Sequence, residues 1–152
     1  QNPRRVVRAV EVIRLTGKKF SEQRAEWKAQ SALPIKINFY CFTRESADLH
    51  ARINARVDAM FSRGLVNETR ELLRCGLEQN QTAMQAIGYR QVVEHLCGEH
   101  NLAETIEQAK IKTRQFAKRQ LTWFRRQLDA EWIELKPEDS LGKCALKIYE
   151  AI

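Results

Sequence analysis

The sequence predicts a mostly α-helical protein with one or two β-strands. Apolar residues recur at helical spacing over several segments, whereas only two short stretches show strand patterns. The chain has 152 residues, 43% of them hydrophobic and 30% charged, with a mean hydropathy of −0.51. This composition is typical of soluble globular proteins. Because no apolar run approaches the roughly 20 residues of a membrane span and no signal peptide begins the chain, we expect a cytoplasmic protein without a membrane partner.

Local sequence signals mark the ends of two predicted helices in the first part of the chain. The first is predicted from Pro3, which suits an opening helical turn, to the residue before Gly17, and its apolar spacing is carried by Val6, Val10 and Ile13. The second is predicted from an N-cap at Ser46 to near Gly64. Its apolar stripe consists of Leu49, Ile53, Val57, Met60 and Phe61.

Shorter elements follow. A helix around residues 67–75 is predicted to end at Gly76, and the polar stretch 77–85 is predicted to be a connection. Another short helix is predicted between Gly88 and Gly98.

Two stretches have strand patterns. Residues 35–42 alternate, and Tyr40 and Phe42 make the second half apolar on both faces, as in a strand that enters a covered sheet. The only other candidate is the stretch 131–135. Because two strands are too few for an independent sheet, we expect that part of the fold lies elsewhere or that strands pair between chains.

The cysteines and histidines do not predict a metal site. Cys97 and His100 have a ligand-like spacing, but a zinc site needs about four ligands and no second pair accompanies them. The thiols are therefore expected to be reduced and structural. No metal ligand is assigned to this chain.

A long basic helix is predicted from a capping box of Asn101 and Glu104 to about Leu128, a length of roughly 40 Å. Residues 110–128 contain seven Lys or Arg and no acid, which equals the net charge of +7 for the whole chain. Residues 1–24 contribute seven further cations against two acids. Two such concentrated basic elements favour a surface that binds a polyanion.

The basic helix has distinct faces. At 100° per residue, one apolar stripe contains Ala117, Leu121, Phe124 and Leu128, so Phe124 is predicted to be in the core. Trp123 points away from this stripe and lies among cations, where it can stack on an unpaired base. The alternative is that Trp123 packs against another part of the protein and the cations are only solvated. A membrane surface and duplex DNA fit the pattern less well.

Three separated stretches resemble bacterial tRNA dimethylallyltransferase, also called tRNA isopentenyltransferase. They are "NPRRVVRAVEVIRLTGKKFSE" at 2–22, "AIGYRQVVEHLCGE" at 86–99 and "TRQFAKRQLTWFRR" at 113–126. They occur in the order of the C-terminal half of that family, and the third stretch is highly specific. The chain is therefore identified as similar to the C-terminal half of this enzyme.

The resemblance implies a fold, an activity and partners. It implies a P-loop-type α/β core with a helical insertion domain, of which residues 1–33 would be the end of the insertion and residues 34–152 the C-terminal part of the core. It also implies transfer of the dimethylallyl group of dimethylallyl diphosphate to N6 of adenosine 37 of tRNA, with Mg²⁺ in the complete enzyme. The expected partners are the tRNA anticodon stem-loop, dimethylallyl diphosphate and the N-terminal half of the same enzyme.

The resemblance also implies site residues. Arg56 matches the family arginine that holds the diphosphate; Arg52 is the nearest alternative, and an ordinary surface arginine is the other explanation. Gly88 would allow close approach of the backbone, although a helix-starting turn explains it equally from the residues alone. The matched tRNA-binding residues are Arg4, Arg5, Arg8, Gln85, Gly88, Tyr89, Arg90, Lys118, Arg119, Gln120, Thr122, Trp123 and Arg125.

Two family elements do not occur in these residues. The Gly-rich phosphate loop G-x-x-x-x-G-K-[ST] is absent from the sequence, and no acid matches the catalytic aspartate. We therefore expect a fragment with no catalytic residue of its own, which is inactive unless the other half is supplied. A noncatalytic RNA-binding helical module and a structural fragment that pairs its strand across a dimer are the alternatives.

Overall fold

A computed structural model describes residues 3–19, Glu22 and 39–150. The chain divides into two compact units, Gln1–Asn38 and Phe39–Ile152, which are described separately. The predicted domain boundary at 33/34 lies outside the described residues. None of the helices in these ranges is both long enough and apolar enough to cross a membrane.

The first unit contains α1, Pro3–Thr16. It begins at Pro3 and ends before Gly17, as the sequence predicts. Gly17 adopts a φ of 69°, and its N–H donates to the carbonyl oxygen of Ile13 at 2.8 Å. This left-handed residue closes the helix in the way that glycine favours.

The second unit contains one small parallel sheet. Strands β1, Tyr40–Thr43, and β2, Glu131–Glu134, pair in the register Tyr40↔Glu131 to Thr43↔Glu134. The two predicted strands therefore pair with each other within this chain. Within the described residues β1 begins at Tyr40 and ends one residue later than predicted, and residues 35–38 of the predicted strand lie outside the described residues.

Four helices lie between these strands along the chain, and one follows them. They are α2 Ser46–Ser62, α3 Leu65–Arg74, α4 Tyr89–Leu96, α5 Leu102–Gln127 and α6 Leu141–Glu150. The polar connection contains two 3₁₀ turns, Leu77–Gln79 and Ala83–Gln85. The predicted capping box of α5 is present, because Glu104 N–H donates to Asn101 Oδ1 and Asn101 N–H donates to Glu104 Oε2, each at 2.9 Å.

The N-cap predicted for α2 is wrong. Ser46 is already the first helical residue, and the capping position is occupied by Glu45, which makes no side-chain capping bond. α3 also begins earlier than predicted, directly after Gly64. Gly64 has a φ of 103°, so it supplies the left-handed conformation in the two-residue connection between α2 and α3.

The core lies where α2 and α4 pack against the first half of α5. Thr105 and Thr69 are fully buried, and their hydroxyls donate to Asn101 O at 2.8 Å and Leu65 O at 2.7 Å. These bonds satisfy buried polar atoms without a distant partner. The buried apolar side chains are Ile53, Val57, Leu65, Leu77, Val92, Val93, Ala109 and Leu135.

The second half of α5 is less covered than its pattern predicts. Phe124, predicted to be in the core, is 36% exposed, and Phe42 of β1 is 43% exposed. Both line an apolar groove of about 440 Å³ with Trp132 and Leu121. Phe124 is exposed because the two strands of this sheet supply too little apolar surface to cover the second half of α5.

Candidate functional site

An open cavity of about 740 Å³ lies between α2, α5 and the segment 85–88. Its apolar lining includes Ile53, Val57, Met60, Leu65 and Phe116. Five of the sequence-predicted site residues contribute to the same cavity, namely Arg56, Gln85, Gly88, Arg119 and Gln120. The structure thus brings together residues from three separated segments, with apolar groups and cations around one space.

Arg56 lies on α2 and is exposed, although its neighbours Ile53 and Val57 are buried. Within the described ranges its guanidinium makes no hydrogen bond or ion pair. A cation that is held by a buried helix face but has no internal anion is suited to an anionic ligand. Arg56 therefore has the charge and position that a diphosphate-binding residue needs.

Arg52, the alternative to Arg56, is already engaged. Its Nε donates to Asp48 Oδ1 at 3.0 Å, and a terminal nitrogen donates to the carbonyl oxygen of Pro137 at 2.9 Å. Partial burial of Asp48 raises its pKa, but hydrogen bonds from Arg44 and Arg52 outweigh that effect and leave the pKa below its usual value. Of these two arginines, Arg56 is therefore the one whose guanidinium has no partner in the described chain, and its role in diphosphate binding stays a prediction.

Gly88 begins α4 in a conformation that favours glycine. Its φ is 112°, and a Cβ at this position would lie 3.4 Å from Leu65 Cδ2. Its N–H donates to Gln91 Oε1 at 2.8 Å, and the residue is buried. The helix-starting turn thus accounts for this glycine, and its contact with RNA stays a prediction.

Tyr89 and Arg90 both have partners within the chain. The Tyr89 hydroxyl donates to Glu68 Oε1 at 2.5 Å, and this hydrogen bond raises the pKa of Tyr89. Arg90 Nε donates to Glu94 Oε1 at 2.8 Å, with the arginine side chain 66% exposed. Glu68 fixes the direction of the phenol, a contact between α3 and α4 that the sequence pattern does not reveal.

The predicted residues on α5 lie along an exposed surface. Trp123 is 55% exposed, as the helical projection predicts, and its ring meets Phe124 edge to face at 5.1 Å between centroids. The Arg125 guanidinium lies 5.4 Å from the centre of the Trp132 ring. Lys118, Gln120 and Thr122 are also exposed. The indole therefore presents an accessible aromatic face beside cations.

Two of the seven cations counted at 110–128 serve the fold instead. Lys110 Nζ contacts Asp58 Oδ1 at 2.8 Å and Glu107 Oε1 at 2.9 Å, and its side chain is only 14% exposed. Arg114 donates to Asn54 Oδ1 at 2.6 Å. Both tie α5 to α2, so the sequence count overestimates the charge available to a polyanion. The cations of this segment whose side chains have neither a hydrogen-bond nor an ion-pair partner in the described chain are Lys112, Lys118, Arg119, Arg125 and Arg126.

The predicted tRNA-binding residues of α1 belong to the first unit. Arg5 and Arg8 are exposed, and Arg8 donates to Glu11 Oε2 at 3.2 Å. The side chain of Arg4 lies outside the described part of the structure. Their role in binding tRNA stays a prediction.

Comparison with known proteins gives the family. A model described as IPP transferase matches residues 1–127. The tRNA dimethylallyltransferase of Geobacillus thermodenitrificans is 44% identical over 150 residues, covering 98% of this chain and 45% of that protein. That of Carboxydothermus hydrogenoformans is 43% identical over 145 residues, covering 95% and 46%.

Solved structures of tRNA isopentenylpyrophosphate transferases are also similar to this chain. A tRNA delta(2)-isopentenylpyrophosphate transferase from Staphylococcus epidermidis has a TM-score of 0.71 at 33% identity, over 99% of this chain and 48% of that one. The full-length tRNA isopentenylpyrophosphate transferase from Bacillus halodurans also has a TM-score of 0.71, at 35% identity over 99% and 44%. The chain spans about half the length of the curated relatives it matches. Since the family model covers most of these 152 residues, the chain belongs to the IPP transferase family.

Proposed function

We propose that this chain is the C-terminal portion of a cytoplasmic tRNA dimethylallyltransferase and supplies its tRNA-binding surface and one diphosphate-binding arginine. The observation that carries the proposal is the shared cavity, which Arg56 lines together with Arg119, Gln85 and Gln120. The relatives are tRNA dimethylallyltransferases, which makes tRNA the polyanion expected at the exposed cations.

In the proposed reaction, N6 of adenosine 37 attacks C1 of the dimethylallyl group, the carbon that bears the diphosphate oxygen. A nitrogen–carbon bond forms while the carbon–oxygen bond breaks, and the electron pair of that bond leaves with the diphosphate. Arg56 would stabilise the negative charge that develops on the leaving oxygen. The apolar wall of Ile53, Val57 and Phe116 would exclude water from the five-carbon group. A base outside this chain would take the N6 proton.

We expect that extrusion of the target adenosine and binding of Mg²⁺ both require groups from outside this chain. An exocyclic amine is reached by taking the base out of its stack, and Trp123 offers an exposed ring on which a neighbouring base can stack. Among residues 3–19, Glu22 and 39–150, no group of three His, Cys, Asp or Glu side chains could hold a metal ion. We expect the Mg²⁺ ligands to come with the N-terminal half, and this assignment stays a prediction.

Complementation tests the proposal. The chain is combined with the N-terminal half of a relative, and transfer of labelled dimethylallyl diphosphate to an anticodon stem-loop is measured. We expect transfer to appear only in the mixture and to fall on the order of 10²-fold in Arg56→Ala, because one charge-stabilising donor is lost. Affinity for the stem-loop should stay within about twofold, since Arg56 contacts diphosphate and not RNA.

Arg74→Ala is the matched control, because Arg74 is an exposed arginine on α3 outside the cavity. Equal rates for Arg56→Ala and Arg74→Ala would remove Arg56 from the site. A folded mixture that binds RNA without transfer would favour the second candidate, a noncatalytic RNA-binding module, which the exposed cations and Trp123 support equally well.

A further inference from the structure

A second, polar groove of about 510 Å³ lies between α4 and α5. Arg90 and Glu94 line it from α4, and Lys112, Gln115 and Arg119 line it from α5. The α5 residues are spaced by three and four, so they share one face of the helix. The groove thus has a row of polar side chains along the wall formed by α5, whereas Met84, Ala86 and Ile87 line another part of it.

The charge of this groove is positive. Three cations face one carboxylate, and that carboxylate is already paired with Arg90 at 2.8 Å. Lys112 and Arg119 have no ion-pair partner within the described chain, and both are exposed. Lys110, two residues from Lys112, is by contrast held by Asp58 and Glu107. Lys112 is therefore a cation that the fold does not use.

The groove adjoins the cavity that contains Arg56. Gln85, Ala86, Ile87 and Arg119 line both spaces, so the two meet at one short segment and one side chain. A strand whose base enters the cavity must carry its flanking phosphates past this junction. Lys112 and Arg119 are seven residues apart, about 10 Å along α5, which is far enough for the two cations to contact different phosphates of one strand.

We propose that this groove binds the sugar–phosphate backbone of the RNA strand next to the target base, with Lys112 as a further phosphate-binding residue. The inference rests on the proposed function and extends the RNA surface along α5 beyond the segment 118–125. The arrangement of Lys112, Gln115 and Arg119 along one face of α5 favours binding of an RNA backbone. The two cations can neutralise phosphates of one strand, and Gln115 can form hydrogen bonds with a ribose.

The test measures binding of the whole chain to a labelled anticodon stem-loop at several salt concentrations. Lys112→Gln keeps a similar side-chain length and removes the charge, and it should weaken binding about fivefold and reduce the magnitude of the salt slope by about 0.7 to 1. Lys112→Glu should weaken binding further. Lys143→Gln and Lys143→Glu are the matched controls, since Lys143 is exposed on α6 and does not line the groove.

The outcomes distinguish a failure of the groove inference from a failure of the proposed function. If the Lys112 variants behave like the Lys143 variants while the wild-type chain binds the stem-loop, the groove is not a phosphate site and the proposed function stands. If the wild-type chain does not bind the stem-loop at low salt, both the groove inference and the proposed RNA-binding role are wrong. Circular dichroism should be unchanged in every variant, because each replaced side chain is exposed.

Discussion

Replacing Trp123 by alanine should separate RNA binding from folding. The indole is 55% exposed, and its described ring contact is the edge-to-face arrangement with Phe124 at 5.1 Å. Stacking of one base on an aromatic side chain contributes about 1–3 kcal/mol. Because 1.4 kcal/mol corresponds to a factor of ten, Trp123→Ala should weaken binding of an anticodon stem-loop by roughly 5- to 150-fold.

Stability should change much less. The contact with Phe124 contributes about 0.5–1.5 kcal/mol, and the higher helix propensity of alanine offsets part of that loss. We therefore expect helix content to be retained and the free energy of unfolding to fall by about 1 kcal/mol or less. Trp123→Phe should keep most of the affinity, since a phenyl ring still offers a stacking face.

The assay combines fluorescence anisotropy of a labelled stem-loop with circular dichroism and urea unfolding. Trp132→Ala is the comparison, because Trp132 is half-buried on β2 beneath Arg125 and should affect stability more than affinity. An affinity of Trp123→Ala within twofold of the wild type would refute the stacking role. A loss of helicity in that variant would instead show that the ring supports the core.

Two further predictions concern stability. Lys110→Met should lower the free energy of unfolding by about 1–2 kcal/mol in urea, because the hydrogen bonds to Asp58 and Glu107 are lost; a larger loss of RNA affinity than in Lys112→Gln would contradict its structural role. Hydrogen bonds from Lys147 and from the Lys136 N–H lower the pKa of Asp139, so its stabilisation is present above the unfolded value of about 3.9 and is lost as the pH falls through the lower native value. Asp139→Asn should accordingly reduce the melting temperature at pH 7 and have little effect near pH 2, whereas an equal reduction at both values would show that the charge is not involved.

Local signals in the sequence predict those features that depend on neighbouring residues. The capping box of Asn101 and Glu104 and the helix end at Gly17 are both confirmed, because each is decided within four residues. The position of Trp123 is also correct, since it follows from helical geometry alone. Contacts between residues a few positions apart on one helix can therefore be predicted from the sequence pattern.

Contacts between distant segments are less predictable. Lys110 and Arg114 appear as free cations in the sequence, yet Asp58 and Asn54 on α2 engage them. Phe124 has a core pattern, but its exposure depends on how many strands cover it. Arg52 differs from Arg56 in part through its pair with Asp48 four residues earlier, which is a local contact, whereas its bond to the Pro137 carbonyl depends on the tertiary fold. Such differences arise from tertiary packing, which periodicity does not contain.

The salt dependence of stem-loop binding by the unmodified chain tests the central claim most directly. Five cations of α5 have side chains with neither a hydrogen-bond nor an ion-pair partner in the described chain. Each phosphate neutralised on a single strand contributes about −0.7 to the slope of log K against log salt. A slope of about −3.5 or steeper is the expected result. A slope shallower than about −1, or no binding at low salt, would contradict the assignment of this surface to RNA.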